Sequence, residues 1–375
     1  MRPIQMVDLK GQYNNIKEEV DLAIHEVLES TAFINGKAVT DFSRNLGNYL
    51  GIHHVIPCAN GTDALQIALM GLGLEPGDEV ITPSFTFIAT TEVVALLRLK
   101  PVFADVDPKT FCMDPDSLEK QITKKTRAIV PVHLYGQSAP MKEIMDLAGK
   151  YQIRVVEDNA QAIGSDYTFP DGKTYKTGTM GDCGTTSFFP SKNLGAYGDG
   201  GALFTKDAAL AEIFKMIANH GQKKRYYHEL VGCNSRLDTL QAAILNVKLP
   251  LLDEYISRRR AAADFYDRAF AGHPKIRTPY RAPYTKHVFH QYTLILEGAD
   301  RNKLNEWLAS KNIPSMIYYP VPAHRQNMFA SFQSGLQKLE VTDWLTERVI
   351  SLPMHTELDE EQLGFIKDSV LEFLH

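Results

Sequence analysis

The chain has 375 residues, of which 44% are hydrophobic and 23% charged, with a net charge of −5. This is an ordinary globular composition, too long for one ordinary core, so a large domain with a smaller one is expected. Acids and bases are interspersed, with no basic stripe to hold nucleic acid. Cys58, Cys112, Cys183 and Cys233 are scattered and form no CxxC pair, which argues against a zinc site or disulfide framework and fits a reducing cytoplasm. The N-terminus MRPIQMVDLKGQY lacks a signal-peptide pattern, and no apolar run is long enough to span a bilayer.

Residues 1 to about 50 read as two helical pieces, with apolar spacing at Ile16, Val20, Ile24, Val27 and Leu28. From His53 short β-rich runs alternate with helical ones. The runs are His53–Cys58, Glu79–Pro83, Pro101–Val106, Arg127–Leu134, Arg154–Glu157, Thr185–Phe189 and Ala202–Thr205. Helical stretches such as Asp63–Met70, Met141–Lys150 and Ala208–Asn219 lie between them. This order implies βαβ crossovers and a largely parallel sheet, with ligands bound outside the carboxyl ends of the strands. Leu237–Val247 and Ile256–Phe270 read as long helices, and Arg258-Arg259-Arg260 as a solvated face of the second. A smaller segment follows: a strand at Val288–Leu296, a helix at Arg301–Lys311, a strand at Pro314–Tyr319 and a helix at Asp359–Leu374. The expected division is residues 1–250 for the large domain with its N-terminal helices and 251–375 for the smaller one.

Three constellations fall at strand ends. In Ala59-Asn60-Gly61-Thr62-Asp63 a strand stops, a glycine permits a turn and a helix starts, which serves a phosphate site or a plain capped helix equally well. Glu157-Asp158-Asn159-Ala160-Gln161 closes a buried strand with two carboxylates, suited to a metal, a ribose, a protonated ring nitrogen or a helix cap. Pro83-Ser84-Phe85-Thr86-Phe87 carries two aromatics, for a planar ligand or for the core.

Lys192 is the fourth signal. It lies in Ser187-Phe-Phe-Pro-Ser-Lys192-Asn-Leu-Gly195-Ala-Tyr-Gly198-Asp-Gly200-Gly201, with no helical period around it and glycines that let the loop press on other backbone. A lysine desolvated in this way is fit to form a Schiff base. Together the four signals supply a phosphate cradle, an aromatic plate, a carboxylate and a reactive amine. Pyridoxal phosphate (PLP) needs that inventory, with the carboxylate placed against its pyridinium nitrogen.

With these residues quoted, the chain resembles the DegT/DnrJ/EryC1/StrS family of sugar aminotransferases, within the aspartate aminotransferase superfamily of fold type I. The resemblance runs from Val7-Asp8-Leu9 to Ser351-Leu352-Pro353-Met354 and includes Val132-His133-Leu134-Tyr135-Gly136-Gln137 and Asn234-Ser235-Arg236-Leu237-Asp238. It implies that Lys192 holds PLP and moves protons, with pyridoxamine phosphate formed in the half-reaction. It implies Asp158 on the ring nitrogen, Gln161 near the ring hydroxyl, Phe87 stacked on the ring, and Gly61, Thr62 and Ser187 on the phosphate. It further implies a homodimer in which Asn234 reaches the phosphate of the partner's site.

Relatives with His in place of the lysine are dehydratases, so Lys192 points to transamination. The run Lys192 to Gly201 resembles the branch that aminates C3 rather than C4 of the sugar. The expectation is transfer from L-glutamate to a UDP- or dTDP-linked 3-ketohexose, for surface polysaccharide such as O-antigen. A 4-keto sugar, an elimination on a sugar and a non-catalytic sensor are the alternatives, and a Rossmann-type enzyme is disfavoured by the lack of G-x-G-x-x-G after the first strand. Many relatives carry His-Tyr-Pro where this chain has Tyr318-Tyr319-Pro320, ahead of His324, so sugar contacts there are open. Arg236 and the loop Lys223–His228 suit a diphosphate or a sugar carboxylate, or a solvated loop.

Overall fold

A computed structural model describes residues 1–332 and 338–375. Three helices open the chain: α1 (Leu9–Asn15), α2 (Lys17–Ser30) and α3 (Lys37–Leu50). The sequence suggested two. The first break falls at Ile16, which closes α1 with an N–H to the Tyr13 carbonyl and starts α2.

The alternating region follows as β1 (His54–Cys58), α4 (Gly61–Gly71), β2 (Glu79–Pro83), α5 (Ala89–Leu96), β3 (Lys100–Ala104), α6 (Pro115–Gln121), β4 (Thr126–Ile129), α7 (Met141–Tyr151) and β5 (Arg154–Asp158). A small hairpin, β6 (Asp166–Thr168) and β7 (Thr174–Lys176), precedes β8 (Cys183–Ser187), β9 (Gly201–Thr205) and α8 (Ala208–Ala218). Seven strands form one sheet in the order β1-β9-β8-β5-β4-β2-β3. Only β9 runs against its neighbours, and the other pairings are parallel. Alternate residues serve opposite faces, as the two-residue period requires. Val80, Ala128 and Val156 pack with α4, α5 and α8, whereas Ile81, Ile129 and Val155 pack with α6 and α7. The fold is α/β with a mostly parallel central sheet covered on both sides.

An exposed hairpin, β10 (Gln222–Lys224) and β11 (Tyr227–His228), leads to α9 (Thr239–Lys248) and α10 (Leu252–Phe270). Beyond lie β12 (Ile276–Arg277), β13 (Tyr292–Leu296), α11 (Arg301–Ser310), α12 (Glu340–Thr346), β14 (Val349–Leu352) and α13 (Glu360–Leu374). The three strands form an antiparallel sheet. Ala263, Tyr266 and Phe270 of α10, Leu304 and Leu308 of α11, and Ile366 and Val370 of α13 bury it, joined by Ile4 from the N-terminus.

Three expectations are corrected. Pro314–Tyr319 forms no strand beyond a bridge from Met316 to Ser351, because prolines at 314, 320 and 322 remove ladder donors. The strand expected from Val288 begins at Tyr292, because Val288 is spent elsewhere: its N–H goes to Gly136 and its carbonyl to the Asn193 amide. Arg259 is buried rather than solvated. Its guanidinium donates to the carbonyls of Phe289, His290 and Met354, tying α10 to the chain on both sides of the small sheet. Long stems let arginine take such a place when carbonyls satisfy its head.

Arg259→Ala leaves those carbonyls without their donor and opens a cavity, so unfolding in urea is expected to show a loss of roughly 3–5 kcal/mol. A loss below about 1 kcal/mol, the level of an ordinary surface change, contradicts this account.

Candidate active site

The carboxyl ends of β1, β5 and β8 converge on one edge of the sheet. At the first, Asn60 caps α4 by accepting the Asp63 N–H at 2.8 Å. The N–H groups of Gly61 and Thr62 have no partner inside a helix that starts there, and the helix dipole favours an anion in front of them. Ser187, the last residue of β8, lies against this turn. A Cβ on Gly61 would stand 2.7 Å from the Cβ of Ser187, so only glycine lets the hydroxyl and the helix start close on one point. The Ser235 hydroxyl accepts the Ala59 N–H at 3.1 Å and brings Asn234 and Arg236 alongside. Ala59, Asp199, Asn234 and Arg236 line a cavity of about 490 Å³.

Asp158 ends β5 and is almost fully buried. One carboxylate oxygen accepts the Thr90 hydroxyl at 2.8 Å and the other the Ala160 N–H at 3.1 Å. The orientation is set from its neighbour. Glu157, fully buried, accepts from the His133 ring at 2.9 Å and from the N–H groups of Gly178, Met180 and Gly181. His133 in turn donates its own N–H to the Asp158 carbonyl at 3.0 Å. Side chains alternate along a strand, so the carboxylate that faces the interior fixes the one that faces the site.

Lys192 follows the end of β8. Its backbone N–H returns to the Phe189 carbonyl at 2.8 Å, so the side chain leaves a tight turn. Burial draws its amine down to about 8, against an upward pull from Asp158. A fraction of the amine is therefore unprotonated near neutral pH and able to attack a carbonyl.

Phe87 presents an exposed ring, 53% accessible, at the head of α5. Tyr319 stands 6.2 Å from it, and the Tyr319 hydroxyl accepts the Gln161 amide at 2.9 Å. The Gln161 carbonyl oxygen accepts the Tyr135 N–H at 2.8 Å, and the Tyr135 hydroxyl donates to the Tyr318 carbonyl. His324 is placed differently. Its ring nitrogen lies 2.6 Å from the Ser84 hydroxyl and it is 4% exposed, so it supports the loop before Phe87 from beneath. The Lys223–His228 loop is the exposed β10–β11 hairpin, with Arg225 and Lys224 lying over Tyr226 and Tyr227.

Lys192, Asp158, Gly61, Thr62, Ser187, Phe87 and Gln161 thus all belong to one edge of the sheet. Thr90, Ser235 and Glu157 complete it. Thr90 lies in the first turn of α5, three residues after Phe87, and only its bond to Asp158 singles it out. Ser235 and Glu157 gave no signal apart from the motifs that contain them. The donor set suits a flat phosphate ester with an aldehyde and a basic ring nitrogen: an anion cradle, a carboxylate, an aromatic plate and a desolvated amine.

The comparisons agree. Residues 14–371 match the DegT/DnrJ/EryC1/StrS aminotransferase family. The chain is 45% identical to the UDP-2-acetamido-2-deoxy-3-oxo-D-glucuronate aminotransferase of Pseudomonas aeruginosa, over 97% of this chain and 98% of that one. It is 44% identical to a pleiotropic regulatory protein of Geobacillus stearothermophilus, over 99% and 98%. The solved structure of S. venezuelae DesV superposes with a TM-score of 0.95 at 38% identity, covering 100% of this chain and 99% of that one. The chain belongs to the DegT/DnrJ/EryC1/StrS aminotransferase family, whose members work with PLP.

Proposed function

We propose that this protein moves the amino group of L-glutamate to the C3 ketone of a UDP- or dTDP-linked sugar, in amino-sugar synthesis for surface polysaccharide. The observation that carries the reading is Lys192, a partly desolvated amine at the same sheet edge as Asp158 and the Gly61–Ser187 cradle. The choice of C3 is supported by the run from Lys192 to Gly201 and by the name of the Pseudomonas relative, a 3-oxo-glucuronate aminotransferase.

When bound, PLP supplies an electron sink for the carbon that gains or loses the amine. Gly61, Thr62 and Ser187 would hold its phosphate, with Phe87 and Gln161 as its ring contacts. Asp158, aimed by Thr90 and Ala160, would keep a proton on the ring nitrogen. Lys192 would hold the cofactor through its desolvated amine, and the same amine would serve as the base that moves a proton at the substrate carbon. The protein works as a cytoplasmic homodimer with Asn234 reaching the partner's phosphate site, and with residues 1–250 and 251–375 as its two domains. Among the described residues no helix is long and apolar enough to cross a membrane. Arg236 and the Lys223–Arg225 hairpin meet the diphosphate or a sugar carboxylate, while Tyr318 and Tyr319 line the sugar. His324 acts on the loop that carries Phe87, through Ser84.

The regulatory name of the Geobacillus relative favours a second reading, a sensor that binds without turnover. Conversion of glutamate to 2-oxoglutarate that depends on added ketosugar decides between them. A panel of UDP- and dTDP-linked 3- and 4-ketosugars should give turnover with a 3-ketosugar, and turnover confined to 4-ketosugars sinks the C3 assignment. Wild-type protein saturated with PLP should show the absorption band of a lysine-bound cofactor, and Lys192→Ala should lack it. In cofactor-free protein, acylation of Lys192 followed by mass spectrometry should rise with a midpoint near pH 8, because the folded amine loses its proton there. A midpoint near 10.5, the unshifted value, removes the desolvation argument. Asp158→Asn should lower turnover by about 10²–10⁴-fold while the protein still binds PLP.

A further inference from the structure

The residue that grips the Lys192 loop from behind is itself a lysine. Lys248 ends α9 and is fully buried. Its amine donates to the Gly195 carbonyl and stands 5.2 Å from the centre of the Tyr197 ring. Two turns earlier on the same helix, the Gln241 side chain accepts the Tyr197 N–H at 2.9 Å. One helix therefore holds the descending limb of the loop at two points. Main-chain bonds close the loop on itself, Lys192 to Phe189 at 2.8 Å and Ala196 to Phe188 at 2.7 Å, and the Asn193 amide donates to the Val288 carbonyl at 3.0 Å on the Lys192 side. Gly195 is the point where the limbs press together, since a Cβ there would lie 2.2 Å from the Pro190 carbonyl oxygen.

A lysine in this place needs a reason. Among the described residues no carboxylate pairs with it. Burial, with the nearby Arg259 cation, draws its amine down to about 7. Methionine would fill the same space without a polar head to desolvate. What methionine lacks is the donor for Gly195. We propose that Lys248 is a positioning residue for Lys192: by fixing the Gly195–Tyr197 limb it sets the direction from which the reactive amine enters the site. The proposal rests on Lys192 being that amine.

Lys248→Met and Lys248→Gln test it, the second retaining an N–H donor. In cofactor-free protein, hydrogen exchange of the amides in 192–197 should quicken about tenfold or more in Lys248→Met, with the rest of the chain unchanged and Tm not lowered. Lys248→Gln should restore part of that protection. In PLP-loaded protein Lys248→Met should lose about tenfold in kcat, with KM for the amino donor within about twofold of wild type, as expected for a misplaced reacting group. Unchanged exchange in Lys248→Met, equal exchange in both variants, or loosening throughout the chain each overturns the proposal. A wrong assignment of Lys192 shows elsewhere, as a retained cofactor band in Lys192→Ala, with the exchange result standing.

Discussion

Backbone at the end of β8 can approach the start of α4 closely only because one residue there has no side chain. Gly61 and Ser187 meet where a Cβ would stand 2.7 Å from its neighbour. That contact brings a hydroxyl up to the start of α4, and it also fixes where β8 hands over to the Lys192 loop. If the strand end stood farther off, the hydroxyl would leave the helix N–H groups and the lysine would leave the reach of Asp158. The parallel sheet supplies the common edge, and the glycine sets its tolerance.

Around that contact, orientation is delegated inward. Asp158 is aimed through Glu157 and His133, Phe87 through Ser84 and His324, and Lys192 through Gly195 and Lys248. Each reactive or stacking group has a buried polar partner behind it, and each partner is satisfied by backbone or by another side chain. Buried polar networks of this kind rigidify when complete, which is what a site that must place reacting atoms requires.

The order of elements was legible because helical and strand periods alternate cleanly between His53 and Ala218. Lys192 was legible because its surroundings fit neither a helix face nor a surface. The supporting groups were not. Nothing local distinguishes Glu157 from a second carboxylate at a strand end, and Arg259 looks like its neighbours Arg258 and Arg260 until packing turns it inward. Lys248 reads as an ordinary helix-end lysine. These roles depend on contacts far apart in sequence, such as Lys248 with Gly195 or Ser84 with His324, and a periodicity has no access to them. The missing strand at Pro314–Tyr319 is a different case, since its flanking prolines were visible and outweigh the β-branched and aromatic residues between them.

The link between Tyr135 and Tyr318 runs to a main-chain carbonyl. An anchor of that type is blind to the identity of the side chain it holds. Position 318 can therefore exchange one side chain for another while Tyr135, and the Gln161 side chain bonded to it, keep their register. Substitution at 318 should accordingly leave the chain of bonds from Tyr318 through Tyr135 and Gln161 to Tyr319 in place, since none of its links is made by the Tyr318 side chain.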